Sequence, residues 1–195
     1  MIPPVARCFG DGDPLYAAYH DDEWGRPVTT EQGLFEKLCL EAFQAGLSWR
    51  IVLGRRETLR AAFDGFDPDT VAGYGEQDLG RVMAADGVIR NVAKIGAAVT
   101  NARAVLALRD GAGLAALVWS FAPPEAAAPV RWAETPAVTE ESTALAKALK
   151  HSGFRFIGPT SAYALMQADG LVDDHLADCP VRPEVEAQRA RARAR

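Results

Sequence analysis

Apolar positions recur at three- and four-residue spacing along almost the whole chain, and little of it alternates with period two. That pattern predicts an all-α chain. The clearest case runs from Leu34 to Trp49, where Leu34, Leu38, Ala42 and Ala45 form one apolar stripe. Glu41 lies at the edge of that stripe, three residues after Leu38 and four before Ala45, so a carboxylate is set against the core. Gly46 ends the helix, Ser48 can cap the next over residues 48–63, and Trp49 falls in its first turn. The simpler reading of both residues is structural: Glu41 caps a neighbouring helix and Trp49 fills the core.

Elsewhere the helix signals are local. Asp13 as a cap with Pro14 behind it starts a helix that carries Tyr16, Tyr19 and His20 on one face. Asp67-Pro68 starts a short helix, another spans 76–84, and a long one runs to about Leu108. Gly87 separates the last two and predicts a tight helical hairpin. Pro123, Pro124, Pro129 and Pro136 mark an irregular stretch between the Trp119 helix and a final pair, over 142–151 and 159–169. With no internal repeat, the chain reads as one domain over 1–182, built from two helical lobes with a cleft between them. The arginine-rich segment 183–195 reads as a frayed, solvated tail.

Composition narrows the class. A chain of 195 residues with 49% hydrophobic and 24% charged residues buries an ordinary core, which excludes wholesale disorder and a membrane protein. Met1-Ile2-Pro3-Pro4 opens no signal segment, and a cytoplasmic setting follows as the expectation. The net charge of −5 argues against nucleic acid, but its distribution matters more. Arg90, Lys94 and Arg103 gather in one segment, whereas Asp21-Asp22-Glu23 and Glu140-Glu141 gather acids.

Three cysteines and three histidines remain. His175 and Cys179 are four apart, and Cys8 and His20 are twelve apart near the other terminus, together a Cys₂His₂ set of the kind zinc takes. A Cys8–Cys179 disulfide and unrelated surface residues are the rival readings. Cys39 is a small core residue, and His151 places a charge at a helix end.

Several stretches carry a resemblance when taken together: Asp13-Pro14-Leu15-Tyr16, Tyr19-His20-Asp21-Asp22-Glu23-Trp24-Gly25, Gln44-Ala45-Gly46-Leu47-Ser48-Trp49, Ile89-Arg90-Asn91 and Met166-Gln167-Ala168 with Gly170-Leu171-Val172. In this order, over roughly residues 7 to 180, the chain resembles the DNA-3-methyladenine glycosylase I family. The resemblance implies an all-α fold of the helix-hairpin-helix glycosylase superfamily. It implies a monofunctional enzyme that flips 3-methyladenine out of double-stranded DNA and frees it as product, with no membrane partner and as a monomer. It makes Cys8, His20, His175 and Cys179 the ligands of a structural zinc clipping the two termini together. Glu41 becomes the catalytic residue, with Tyr16, Tyr19, Trp49 and Phe9 as base-binding residues. Gly87, Val88, Ile89, Arg90, Asn91 and Lys94 would meet DNA phosphates.

The chemistry suits those side chains. Methylation at N3 makes the purine cationic while it is joined to the sugar, so an indole face gains a cation–π contact and a carboxylate can pair with the base. Such a base is already a good leaving group. Asp110 falls where the wider superfamily generally has an aspartate, but Arg109-Asp110-Gly111 reads as a solvated helix end. The chain departs from the family pattern in three places. A tryptophan is missing two residues after Cys8, where Phe9-Gly10 follows; Ala164 replaces a hydroxyl; and the hairpin lacks a second glycine. The first departure motivates an alternative of another class, a catalytically silent protein that binds damaged DNA.

Overall fold

The computed structural model of the chain describes residues 7–9 and 12–194. Met1-Ile2-Pro3-Pro4, Gly10 and Arg195 lie outside the described residues. Among the described residues all regular structure is helical, as the periodicity predicts, and no helix is long and apolar enough to cross a membrane.

Local capping chemistry sets most helix starts. In α1 (Pro14–Asp22) the Asp13 carboxylate accepts from the Leu15 and Tyr16 amides. Thr30 caps α2 (Glu31–Gln44), and Ser48 precedes α3 (Trp49–Ala62) without a side-chain bond. Asp67 caps the short α4 (Pro68–Ala72), and Asn91 caps α6 (Val92–Leu108), which follows α5 (Glu76–Ala84) across the predicted turn at Gly87. After α7 (Gly113–Trp119) comes the proline-rich connection, broken by one 3₁₀ turn over Trp132–Glu134. Thr139 and Ser142 then exchange hydrogen bonds, so α8 (Glu140–His151) begins two residues before the predicted start. The chain closes with α9 (Pro159–Ala168) and α10 (Arg182–Arg193).

Helix α2 is the central element and packs against α3, α6, α7 and α9. Its Leu34, Phe35, Leu38, Leu40 and Phe43 are sealed, and Cys39 is buried beside them as expected. A second, smaller cluster holds Tyr19, Trp24 and Leu53, with Phe9, Leu15 and Tyr16 packed on it. Trp49 touches both clusters. Between α1 and α2 the chain passes close to the C-terminal region at Gly25, whose φ is +78° and where a Cβ would stand 2.9 Å from the His175 ring. Only glycine combines that backbone with that approach.

The segment expected as a frayed tail is instead a docked helix. On α10 the Arg189 guanidinium is buried and donates to the carbonyls of Gly170 and Leu171 at 2.8 and 3.0 Å. One turn later Arg193 reaches the carbonyls of Pro123 and Leu171. Arginines four apart share a face, and here that face meets carbonyls just beyond the C-terminus of α9, where cations are favoured.

Candidate active site and metal centre

Glu41, Trp49, Tyr16, Tyr19 and Phe9 all line one cavity of about 500 Å³. The end of α2, the first turn of α3, one face of α1 and the N-terminal segment thus converge, the first two as the sequence pattern suggests and the others as the family resemblance implies. Glu41 is only 3% exposed, and its Oε2 has no hydrogen-bond partner. Burial pushes its pKa up to about 8, against the pull of the Lys37 ammonium. The Trp49 indole Nε1 is likewise buried and unpaired. A lone acceptor and a lone donor therefore border a cavity walled by aromatic rings.

The rings support one another. Tyr19 leans on Trp49 with centroids 5.4 Å apart, and Lys37 Nζ sits 5.3 Å from the Tyr19 ring centre. Burial, and then the charge of Glu41, hold the Tyr19 phenol well above its ordinary pKa, so it stays protonated. Lys37 is tied to Glu23, which also pairs with Arg56. Asp169 is fully buried with neither carboxylate oxygen partnered, and burial raises its pKa far above the usual range. The charge of Glu41 adds to that shift.

Four lining residues were not singled out in the sequence: Trp24, Gln44, Gln167 and Trp132. Trp24 stands inside a quoted motif and Gln44 is three residues after Glu41, so both had a local signal. Gln167 also lies in a quoted motif, whereas Trp132 sits in the proline-rich connection with no periodicity around it. Phe9 reaches the cavity, its ring 4.9 Å from Trp24 and 5.6 Å from Trp132, and Ala164 lines it as well.

The hairpin divides its residues. Gly87 turns with φ +79°, and its carbonyl accepts from Arg55. Val88 is buried and Ile89 is packed on the core, while Arg90 and Asn91 face solvent. Lys94 does not. It is buried, and its Nζ donates to the carbonyls of Phe43, at 2.8 Å, and Ala45, at 2.5 Å. Contrary to the expectation from the sequence, the ammonium does not meet phosphates but caps the C-terminal end of α2. Asp110 is exposed just past α6, as a solvated helix end should be.

Where Cys8 lines the cavity, Cys8 Sγ, His20 Nε2 and Cys179 Sγ lie within 4.8 Å of one another, a set that could hold a metal ion. His175 is adjacent, its ring 4.9 Å from that of His20, and its Nε2 is buried with no partner. Behind the two imidazoles stand carboxylates, Asp21 on His20 Nδ1 and Asp173 on His175 Nδ1, each at 2.8 Å. That arrangement leaves Nε2 of each ring as the lone-pair nitrogen: on His20 it accepts from the Cys8 amide at 3.3 Å, and on His175 it is unpartnered. Burial and the neighbouring Cys179 push the Cys8 thiol up to about 12, so without a cation that sulfur stays protonated. Orphaned nitrogen, clustered thiols and outer carboxylates fit a bound metal.

Comparison with known proteins adds three findings. The sequence profile of the methyladenine glycosylase family matches residues 9–183. DNA-3-methyladenine glycosylase 1 of Escherichia coli K12 is 48% identical over 174 residues, covering 88% of this chain and 93% of the relative, and the DNA-3-methyladenine glycosylase of Haemophilus influenzae is 48% identical over 182 residues, covering 91% and 98%. The structure of 3-methyladenine DNA glycosylase I from Staphylococcus aureus, described as the structural basis of 3-methyladenine recognition, matches with a TM-score of 0.86 at 35% identity, covering 90% of this chain and 95% of that one.

Proposed function

The chain belongs to the methyladenine glycosylase family, and from that premise we propose that its aromatic cavity receives 3-methyladenine flipped out of DNA. It is a DNA-3-methyladenine glycosylase, a base-excision repair enzyme that hydrolyses the N-glycosidic bond. The observation that carries the site assignment is the unpaired couple of Glu41 Oε2 and Trp49 Nε1, buried in one cavity.

An alkylated, poorly paired base costs less to unstack than a normal one, which begins the selection. In the empty cavity Glu41 holds its proton at neutral pH, because burial disfavours the charge. A cationic purine reverses that balance: opposite charge in the site makes Glu41 release its proton to solvent and leaves an ion pair, with Trp49 and the other rings around the cation. Ordinary adenine is neutral and offers no such gain. Cleavage then sends the C1′–N9 bond electrons to the base and neutralises it, while the positive charge passes to the sugar. Water adds at C1′ and gives up a proton, which the carboxylate of Glu41, basic at neutral pH, can take. Recognition and electrostatic stabilisation are its main roles.

Zinc held by Cys8, His20, His175 and Cys179 would supply no reaction chemistry. Four protein ligands leave no open position, and the ion would lock the N-terminal segment bearing Phe9 to the C-terminal region. Arg90 and Asn91, at the tip between α5 and α6, are the exposed groups available to DNA phosphates in a helix-hairpin-helix role. The unit, two lobes around the cleft extended by the docked α10, acts as a cytoplasmic monomer.

The test is chromatography of bases released from methylated DNA. The wild-type protein frees 3-methyladenine, and Glu41→Ala loses most of that release while keeping its circular dichroism spectrum. Undiminished release by the variant overturns the role of Glu41, and DNA binding with no free base in the wild type favours the silent binder.

A further inference from the structure

Trp132 is a large apolar side chain in an odd place. It leaves 47% of its surface exposed and stands on a one-turn 3₁₀ helix in the irregular connection between α7 and α8. It contributes to neither buried cluster. Its ring contacts are nonetheless specific: Phe9 at 5.6 Å, near perpendicular, and Trp24 at 6.0 Å, tilted. Both of those rings line the cavity that holds Glu41 and Trp49, and so does Trp132 itself.

The backbone beneath the indole is fixed from two directions. The Glu134 carboxylate accepts from the Val130 amide at 2.8 Å and from the Arg131 amide and guanidinium. The Pro129 carbonyl accepts from Ala177, in the segment between His175 and Cys179. An exposed indole would gain nothing from being held so firmly unless something flat covers it, because apolar surface left in water carries a free-energy cost. The rim of a base-sized aromatic cavity supplies such a cover whenever a purine enters.

We propose that Trp132 is a base-binding residue, an indole at the cavity rim that stacks on the flipped purine, with Glu134 as the positioning residue that holds its turn. The inference rests on the glycosylase reading of this cavity. Stacking on a positively charged purine favours the damaged base over neutral ones, so the residue adds to selectivity as well as affinity. It also accounts for Phe9 in the position after Cys8: a smaller ring leaves room for an indole that arrives from a distant part of the chain.

The experiment is single-turnover release of 3-methyladenine from methylated DNA over a range of concentrations of full-length protein. Trp132→Ala raises the half-saturating concentration about 5- to 30-fold and keeps the maximal rate within about twofold. Trp132→Phe recovers most of the loss, and Glu134→Ala gives a smaller rise in the same direction. Urea denaturation of Trp132→Ala matches wild type, since the side chain fills no core. An unchanged half-saturating concentration, or a loss confined to the maximal rate, overturns the proposal while wild-type release still upholds the glycosylase reading. If wild type frees no base, that reading fails first and takes this one with it.

Discussion

Replacing Glu41 by glutamine preserves the side chain's shape and removes its capacity to ionise, so stability and activity should move in opposite directions. The folded-state pKa of about 8 lies above the ordinary value of 4.5. For an acid raised in this way the unfolded chain gives up its proton first, so the wild type loses stability as pH climbs from 4.5 towards 8. The loss accumulates at about 1.4 kcal/mol per pH unit and amounts to roughly 3 kcal/mol by pH 7. Glu41→Gln lacks this penalty. It should match wild type near pH 4 and exceed it by roughly 3 kcal/mol at pH 7, or by about 6–12 °C in Tm for a chain of this length. Release of 3-methyladenine should fall by roughly 10²-fold, since the variant cannot form an ion pair with a cationic base. Urea denaturation at a series of pH values, beside base release at pH 7, reads both effects. A stability difference that does not grow between pH 4.5 and 8 refutes the argument that burial, only partly offset by the Lys37 ammonium, sets the state of Glu41.

Asp169→Asn should also stabilise the free protein, with a gain that grows as pH rises above the ordinary aspartate value of 3.8, because the folded-state pKa is raised by burial; denaturation at acid and neutral pH measures it. Lys94→Met should cost about 1–3 kcal/mol by stranding the carbonyls of Phe43 and Ala45, and leave the salt dependence of DNA binding unchanged. Arg90→Ala should do the reverse, with wild-type stability and a log–log salt slope shallower by about one. Elemental analysis should find about one zinc per chain, and chelation or His175→Ala should lower Tm; an equally stable metal-free protein removes zinc from the account.

Most helix starts could be read in the sequence because the interactions that fix them span only a few residues. Asp13 bonds the amides of Leu15 and Tyr16, Thr139 and Ser142 bond each other, and the stripe on α2 has its own period. Glu41 was visible for the same reason, since its place at the edge of that stripe follows from helix geometry. What a side chain meets across space has no such local trace. Lys94 has the composition of a phosphate ligand and turns inward because the open carbonyl end of α2 lies within its reach. Arginine and alanine alternating at the C-terminus resemble a solvated tail, yet Arg189 and Arg193 find carbonyls of a loop some twenty residues earlier in the chain. Trp132 joins the cavity from a stretch with no pattern of its own, and the unpaired state of Glu41 depends on every neighbour that fails to offer it a partner. Local periodicity and capping settle which residues form helices. Charge states and cavity walls are set by packing between distant segments, because burial and the supply of partners are properties of the assembled chain.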